Sequence, residues 1–356
     1  MLKNKKFKEL AGQYIDKYEL NLSSYNVLAP IIEQEPCLAG LIASMAKAEN
    51  VYMFDPNTNI NRNLEATSDE TSFNGKFIGS LSSEILSSLN IILKNSSIHL
   101  KEDKLSFFAK QKAVISLFPK NLDFLNTQDI NMEALNKEKL FLIGINPEDA
   151  QVGLYQHISH IIVKKCHNLG LDIFKSKMLI VGNGTLLNNT LSMLKSLGAV
   201  VYAYNTTSDA DQSYILKRLK EIDALIIMDY PQTGKQMAGS KGVISICDLV
   251  DQSSFLKILH ICGETETGSL KLGSISYFPE NIVQDTLNLE LKDLGERGIT
   301  ELVVASLKIA ENFLTLGKNS LNSNKSVVTY NVLKKPSSLN VEKKDLTAYS
   351  RDSGVF

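Results

Sequence analysis

The chain has 356 residues, 44% of them hydrophobic and 22% charged, with a formal net charge of −1. That length accommodates two domains of ordinary size. Nothing in the balanced charge suggests nucleic acid or an anionic membrane as an obligatory partner, and no run reaches the roughly 18 apolar residues that a membrane span needs.

The first 147 residues read as α/β. The pattern predicts a helix over 39–48, a strand over 51–54 closed by Asp55-Pro56, a polar loop over 57–74 and a helix over 84–93. Strands follow at 113–118, before Pro119, and at 140–145, before Asn146-Pro147. Short strands separated by helix-length segments imply a parallel sheet. Residues 147–169 read as one long helix, with Glu148 and Asp149 at its start and Gly170 at its stop. A second series is more regular, with strands at 178–181, 200–204, 223–228, 242–246 and 258–262 and helices such as 212–221 between them. An amphipathic helix over 301–316 is stopped by Gly317. The tail from Lys318 is rich in Ser, Asn and Lys, with one strand-like piece at 326–330, and reads as disordered or as an arm that docks on something.

The densest signal lies at Met178–Tyr204. An apolar run meets Gly182-Asn183-Gly184, a helical pattern follows through Leu187, Leu191 and Leu194, and Gly198 leads into a second apolar run. This is strand, glycine turn, helix, turn and strand, half of a nucleotide-binding unit in which a pyrophosphate rests on the amides opening the helix. Two positions depart from the fingerprint G-x-G-x-x-G/A: Leu187 stands where a small residue packs helix on strand, and the second strand ends in Tyr204-Asn205-Thr206-Thr207-Ser208, without an acid for the ribose. Asn205 can bond a hydroxyl, and the neutral loop tolerates a 2′-phosphate, although no Lys or Arg follows within it. The fold class expected is α/β in two domains, the second a doubly wound parallel Rossmann-like sheet, linked by long hinge helices. The expected boundaries are 1–147 for an N-terminal substrate or partner domain, 148–300 for the dinucleotide-binding domain, 301–317 for a returning helix and 318–356 for a polar arm.

Two α/β domains, with one long helix entering the nucleotide domain before its glycine turn and another leaving it, resemble the superfamily of S-adenosylhomocysteine hydrolase and the D-2-hydroxyacid (formate/glycerate-type) dehydrogenases. The resemblance covers about residues 110–316 and lies in the order of elements. Residues 258–268, Ile-Leu-His-Ile-Cys-Gly-Glu-Thr-Glu-Thr-Gly, resemble the segment that borders the nicotinamide in the hydrolases, and residues 145–155 resemble the opening of their hinge helix. It implies a substrate cleft beside the cofactor. The hydrolases' lysine near that helix is absent, since no Lys lies between Leu142 and Val163. The dehydrogenases' arginine is absent too: the corresponding turns read Asp229-Tyr-Pro-Gln-Thr-Gly234 and Cys247-Asp-Leu249.

Ligands bind beyond the carboxyl ends of parallel strands, and the ionisable residues falling there are Asp229, Asp248, Cys262, Glu264 and Glu266. The paired carboxylates of residues 262–268 could orient an amine or act as a base; a polar loop facing water is the plainer reading. His157 and His160 share a helix face, as acid–base groups of the cleft or as ordinary surface or core histidines. His260, inside an apolar strand, reads as structural. Lys235 reads as solvated or as a partner for a phosphate or carboxylate. Cys37, Cys166, Cys247 and Cys262 lie far apart with no C-x-x-C pair, which argues against a disulfide framework or structural zinc, and no metal site is expected. Reduced thiols and the lack of an apolar segment after the basic N-terminus suggest the cytoplasm.

These features lead to an NAD- or NADP-dependent enzyme, an oxidoreductase acting on a small polar metabolite between the domains. The cofactor would lie on Gly182, Asn183, Gly184 and Thr185, with Asn205, Thr206 and Asp229 around it and Glu264 and His157 as acid–base candidates. The alternative is a non-catalytic binding or interaction protein with a degenerate cofactor site. A methyltransferase using the same glycine turn is a third reading. The long helices and tail suit a homodimer.

Overall fold

Residues Val27-Leu-Ala29, Ile91-Ile-Leu93 and Val114-Ile115 are buried along their whole length, which short apolar runs achieve at the centre of a parallel sheet covered on both faces. The computed structural model of the chain describes residues 5–32, 37–55, 75–95, 97–109, 112–118, 122–123, 130–208, 212–251, 256–272, 275–284, 286–316 and 327–329. It has two α/β domains. The first is built on β1 (Asn26–Pro30), β2 (Asn50–Phe54), β3 (Gly75–Ile78), β4 (Ile91–Lys94), β5 (Val114–Leu117) and β6 (Phe141–Ile145), all parallel in the order β6-β5-β4-β1-β2-β3. Its helices are α1 (Lys5–Tyr18), α2 (Leu38–Met45), α3 (Ser83–Ser88), α4 (Glu102–Phe108) and α5 (Met132–Lys137).

The chain crosses to the second domain through α6 (Leu154–Asn168). There β7 (Lys177–Gly182), α7 (Gly184–Ser196), β8 (Val200–Asn205), α8 (Gln212–Leu219) and β9 (Ala224–Met228) follow. After these come β10 (Gln236–Ala238), α9 (Ile246–Asp251), β11 (Lys257–Cys262), β12 (Glu264–Thr265), α10 (Thr267–Leu272) and β13 (Ser276–Phe278). Five strands form a parallel sheet in the order β13-β11-β9-β7-β8, while β10 and β12 pair separately. The chain runs from β7 out to β8 and then returns across β7 to β9. The direction of winding therefore reverses between β7 and β9.

The returning helix α11 (Gly295–Leu316) carries an apolar stripe from Ile299 to Leu314 into a core that takes in α2, α6 and α7. It packs on α1, β5 and β6 of the first domain, and Ser116 Oγ of β5 donates to the Ser306 carbonyl at 2.9 Å. Finally β14 (Val327–Thr329) pairs antiparallel with β6, so one short piece of the polar arm completes the edge of the first sheet. The rest of that arm and the 57–74 loop lie outside the described residues. Among the described residues no helix is long and apolar enough to cross a membrane.

Several elements differ from the sequence expectation. The helix expected over 84–93 stops at Ser88, capped at its start by Ser82 Oγ accepting from Ile85 N, and Ile91–Lys94 becomes the buried strand β4. A short apolar run is compatible with either state, and a place between β1 and β5 decides it. The helix expected from 147 begins at Leu154. Asn146 Oδ1 accepts from Glu148 N at 3.1 Å and Asp149 Oδ1 from Gln151 N at 2.9 Å, and these local bonds compete with the helix. Gly153, left-handed at φ 62°, ends the turn. Residues 242–246 do not join the main sheet; Val243 N and Ile244 N donate back to Gln236 and Met237, and α9 starts at Ile246. The returning helix begins at Gly295 rather than 301.

One glycine is fixed by contact. A Cβ on Gly182 would stand 2.2 Å from the Met228 carbonyl oxygen of the neighbouring strand. Gly182→Ala is expected to cost about 3 kcal/mol of stability, since neither backbone can yield without breaking the ladder. Urea denaturation measures it; a loss within about 0.5 kcal/mol would mean that the two strands do not approach in this way.

Candidate functional site

Ligands of open α/β sheets bind where the winding reverses, outside the carboxyl ends of the two strands. In this chain that place lies between Gly182-Asn183, after β7, and Asp229-Tyr230, after β9. Gly184, at φ 69°, opens α7 and is exposed. Its missing Cβ would lie 3.2 Å from the Tyr230 carbonyl and 3.4 Å from Pro231 Cδ.

Asn183 is the N-cap residue of α7, yet its side chain makes no capping bond. Its Nδ2 donates instead to Asp229 Oδ1 at 2.6 Å, to the Pro231 carbonyl at 2.9 Å and to Thr206 Oγ1 at 3.2 Å. Thr206 Oγ1 donates to the same Asp229 oxygen at 2.7 Å, and Thr233 gives both N and Oγ1 to Asp229 Oδ2 at 2.8 Å. Asp229 is 1% exposed. Its carboxylate therefore accepts four hydrogen bonds in a dry site and ties the ends of β7, β8 and β9 together. Thus Asn183, Thr206 and Asp229 build the walls of the crevice, and the first turn of α7 has no side-chain cap.

Two charged side chains reach this crevice from distant segments. Glu148, in the turn before α6, accepts from Thr185 Oγ1 at 2.9 Å at the opening of α7. Lys235 Nζ donates to the Thr206 carbonyl at 2.7 Å, which brings a cation to the end of β8. Asn205 is exposed and is the register partner of Gly182. Its Oδ1 accepts from Thr207 N and Oγ1, at 3.0 and 2.8 Å, so its amide nitrogen is the group that could donate to a ligand. Leu187 is buried in the core that also takes in α6.

The two acid–base candidates are not brought together. Glu264 lies in β12, exposed, just after Gly263, whose missing Cβ would be 3.2 Å from Asp229 Cβ. His157 faces α11 instead. Its Nε2 is 3.3 Å from Glu301 Oε2, and its Nδ1 lies 3.5 Å from the position of a Gly298 Cβ. Glu301 Oε1 also receives Lys17 Nζ at 2.6 Å and Tyr18 Oη at 3.1 Å. Burial would raise the Glu301 carboxyl, but bonds from His157, Lys17 and Tyr18 outweigh it and hold the group below its ordinary value. His160 is exposed. Glu266 Oε2 accepts from Ser240 N at 2.8 Å. Among the described residues no three His, Cys, Asp or Glu side chains gather as a metal-binding set.

Sequence reasoning missed a buried contact between the domains. Tyr230 Oη donates to Asp123 Oδ1 at 3.0 Å, and the Tyr155 ring of α6 meets the Tyr230 ring edge-on at 6.4 Å. Burial first, and the Asp123 charge after it, push the Tyr230 hydroxyl well above its ordinary value, so it remains a donor. Cys262 is also buried, which pushes its thiol up to about 12 and leaves it neutral at physiological pH. No motif surrounds Asp123; only the tertiary fold reveals it.

No protein-family model and no curated protein sequence matches the chain. Solved structures do match its fold. A dipicolinate synthase component from Bacillus halodurans superposes with a TM-score of 0.53 at 14% identity, over 83% of this chain and 98% of that one. A dipicolinate synthase chain from Bacillus subtilis gives 0.52 at 13% identity, over 86% and 100%. The pyruvate reductase of Chlamydomonas reinhardtii gives 0.51 at 9% identity, over 82% and 97%. The chain thus shares the two-domain Rossmann fold of these structures.

One titration is fixed by this geometry. His260 accepts from Asn288 Nδ2 at Nδ1 and bonds the Gly263 carbonyl through Nε2, at 3.3 and 2.8 Å. Burial lowers its pKa from 6.5 to about 4. The folded state therefore binds this proton less readily than the unfolded state. Its contribution is complete above pH 6.5 and is lost as pH falls toward 4, by about 3 kcal/mol in all. Denaturation of the parent and of His260→Gln across this range should show a steeper acid loss in the parent; parallel curves would contradict the assignment.

Proposed function

We propose that the protein is an NAD(P)-dependent oxidoreductase that binds its dinucleotide across the β7/β9 reversal and a small polar substrate between the domains. The observation that carries the reading is the uncapped opening of α7 behind Gly182 and Gly184. Helix amides without a capping side chain suit a pyrophosphate in charge. In this reading the adenosine ribose rests beside Asn205 and Lys235, which are exposed at the end of β8 and carry no carboxylate. The reading therefore takes NADP(H) as the preferred dinucleotide, its 2′-phosphate paired with Lys235. Glu264 follows the sheet end beside Asp229 and is the acid–base group of this proposal. His157, turned toward Glu301, has no part in it.

One observation favours the alternative of a binding protein without chemistry. Glu148 already places a carboxylate on Thr185 at the helix opening, where it competes with a phosphate.

Titration of the cofactor-stripped protein with NAD, NADH, NADP and NADPH separates the two. The oxidoreductase reading expects micromolar binding, tighter for NADPH than for NADH. Lys235→Met should weaken NADPH about tenfold, the loss of one charge-assisted contact, and change NADH by less than about twofold. Thr185→Glu should weaken both at least about tenfold, because the added carboxylate repels the phosphates, and should lower Tm as well, because it loses the bond to Glu148 and stands against that carboxylate. Binding of none of the four would leave the non-catalytic reading.

A further inference from the structure

We propose that Tyr230 is a positioning residue that couples the nucleotide crevice to the first domain, through the buried hydrogen bond from its hydroxyl to Asp123. The proposal rests on the reading of the crevice as a dinucleotide site.

Tyr230 touches both domains. Its backbone forms part of the crevice wall: the Tyr230 carbonyl lies 3.2 Å, and Pro231 Cδ 3.4 Å, from the place of a Gly184 Cβ. This backbone therefore fills the open side of the glycine that begins α7. The Pro231 carbonyl accepts from Asn183 Nδ2 at 2.9 Å, and Tyr230 N donates to the Met228 carbonyl at 2.9 Å. So the opening of α7 and residues 230–231 shift as one piece. The side chain of Tyr230 ends on the first domain instead. Its Oη donates to Asp123 Oδ1 at 3.0 Å, and its ring meets Tyr155 of α6 edge-on.

Asp123, Tyr155 and Tyr230 are all buried. Water is not at hand to replace either partner, so a bond to a carboxylate here is strong and its loss is costly. The ring between backbone and hydroxyl is rigid. A displacement of the Tyr230 backbone is thus carried to Asp123 rather than absorbed on the way. Asp123 follows the carboxyl end of β5, the side on which parallel sheets bind ligands. The other bonds between the domains are placed differently. Glu148, on Thr185, is exposed, and Ser116 meets α11 rather than the crevice wall.

Hydrogen exchange of the full chain, with and without saturating NADPH, tests the coupling. In the parent, NADPH should slow the amides from Val114 to Asp123 at least about fivefold more than those of β3, at the far edge of the same sheet; this is the low end of an ordinary coupling between sites. Tyr230→Phe keeps the ring and removes the hydroxyl, and Asp123→Leu removes the acceptor. In each, the extra slowing should fall below about twofold while the amides opening α7 still respond. The proposal is overturned if NADPH protects α7 in the parent but not the segment carrying Asp123, if β3 slows equally, or if a folded variant keeps the parent's response. The first two outcomes need only the parent. NADPH that protects no segment of the parent would remove the dinucleotide reading, and this proposal with it.

Discussion

A single buried carboxylate organises the candidate site. Asp229 accepts from Asn183 and Thr206 on one oxygen and from Thr233, twice, on the other. Each acceptor position is matched by a neutral donor, so the charge is stabilised in place and no valence remains for a ligand. The consequence lies in what these bonds withhold. Asparagine is among the best N-cap residues, and Asn183 occupies the N-cap position of α7, but Asp229 and Pro231 draw its side chain away. The first turn of α7 is left without a capping side chain.

The two domains reach this crevice through few contacts, and each has a physical role. The turn over 146–153 places Glu148 against Thr185. Asp123 holds Tyr230, the residue following Asp229, through a buried hydrogen bond. Behind them, α11 carries a continuous apolar core between the sheets, with His157, Lys17 and Tyr18 gathered on its buried Glu301. Glu301 thus joins α1, α6 and α11.

Much of this fold was legible in the sequence because the second sheet repeats apolar strand, turn and helix, with Gly182, Gly184 and Gly198 as punctuation. The first sheet was harder to read. Asn26–Pro30 ends in proline and Gly75–Ile78 is only half buried, so neither shows a strong strand pattern. The start of α6 was misplaced because Asn146 and Asp149 satisfy nearby backbone amides themselves. In the site, Gly182, Asn183, Gly184, Thr206 and Asp229 were singled out and the structure gathers them. Their division of labour was hidden, since it depends on which side chains meet across strands. Lys235 lies 29 positions from Thr206 and Asp123 lies 107 from Tyr230; periodicity carries no signal over such separations.

The central claim is that Asp229 keeps the α7 opening free by holding Asn183. It is tested most directly by Asp229→Asn, read for stability and for dinucleotide affinity together. The amide loses the charge and sets an NH₂ against existing donors, so a stability loss of about 2–3 kcal/mol is expected. With Asn183 released to cap the helix, affinity should fall at least about tenfold, or 1.4 kcal/mol. A stable variant, or a destabilised one that binds as tightly as the parent, would contradict the account.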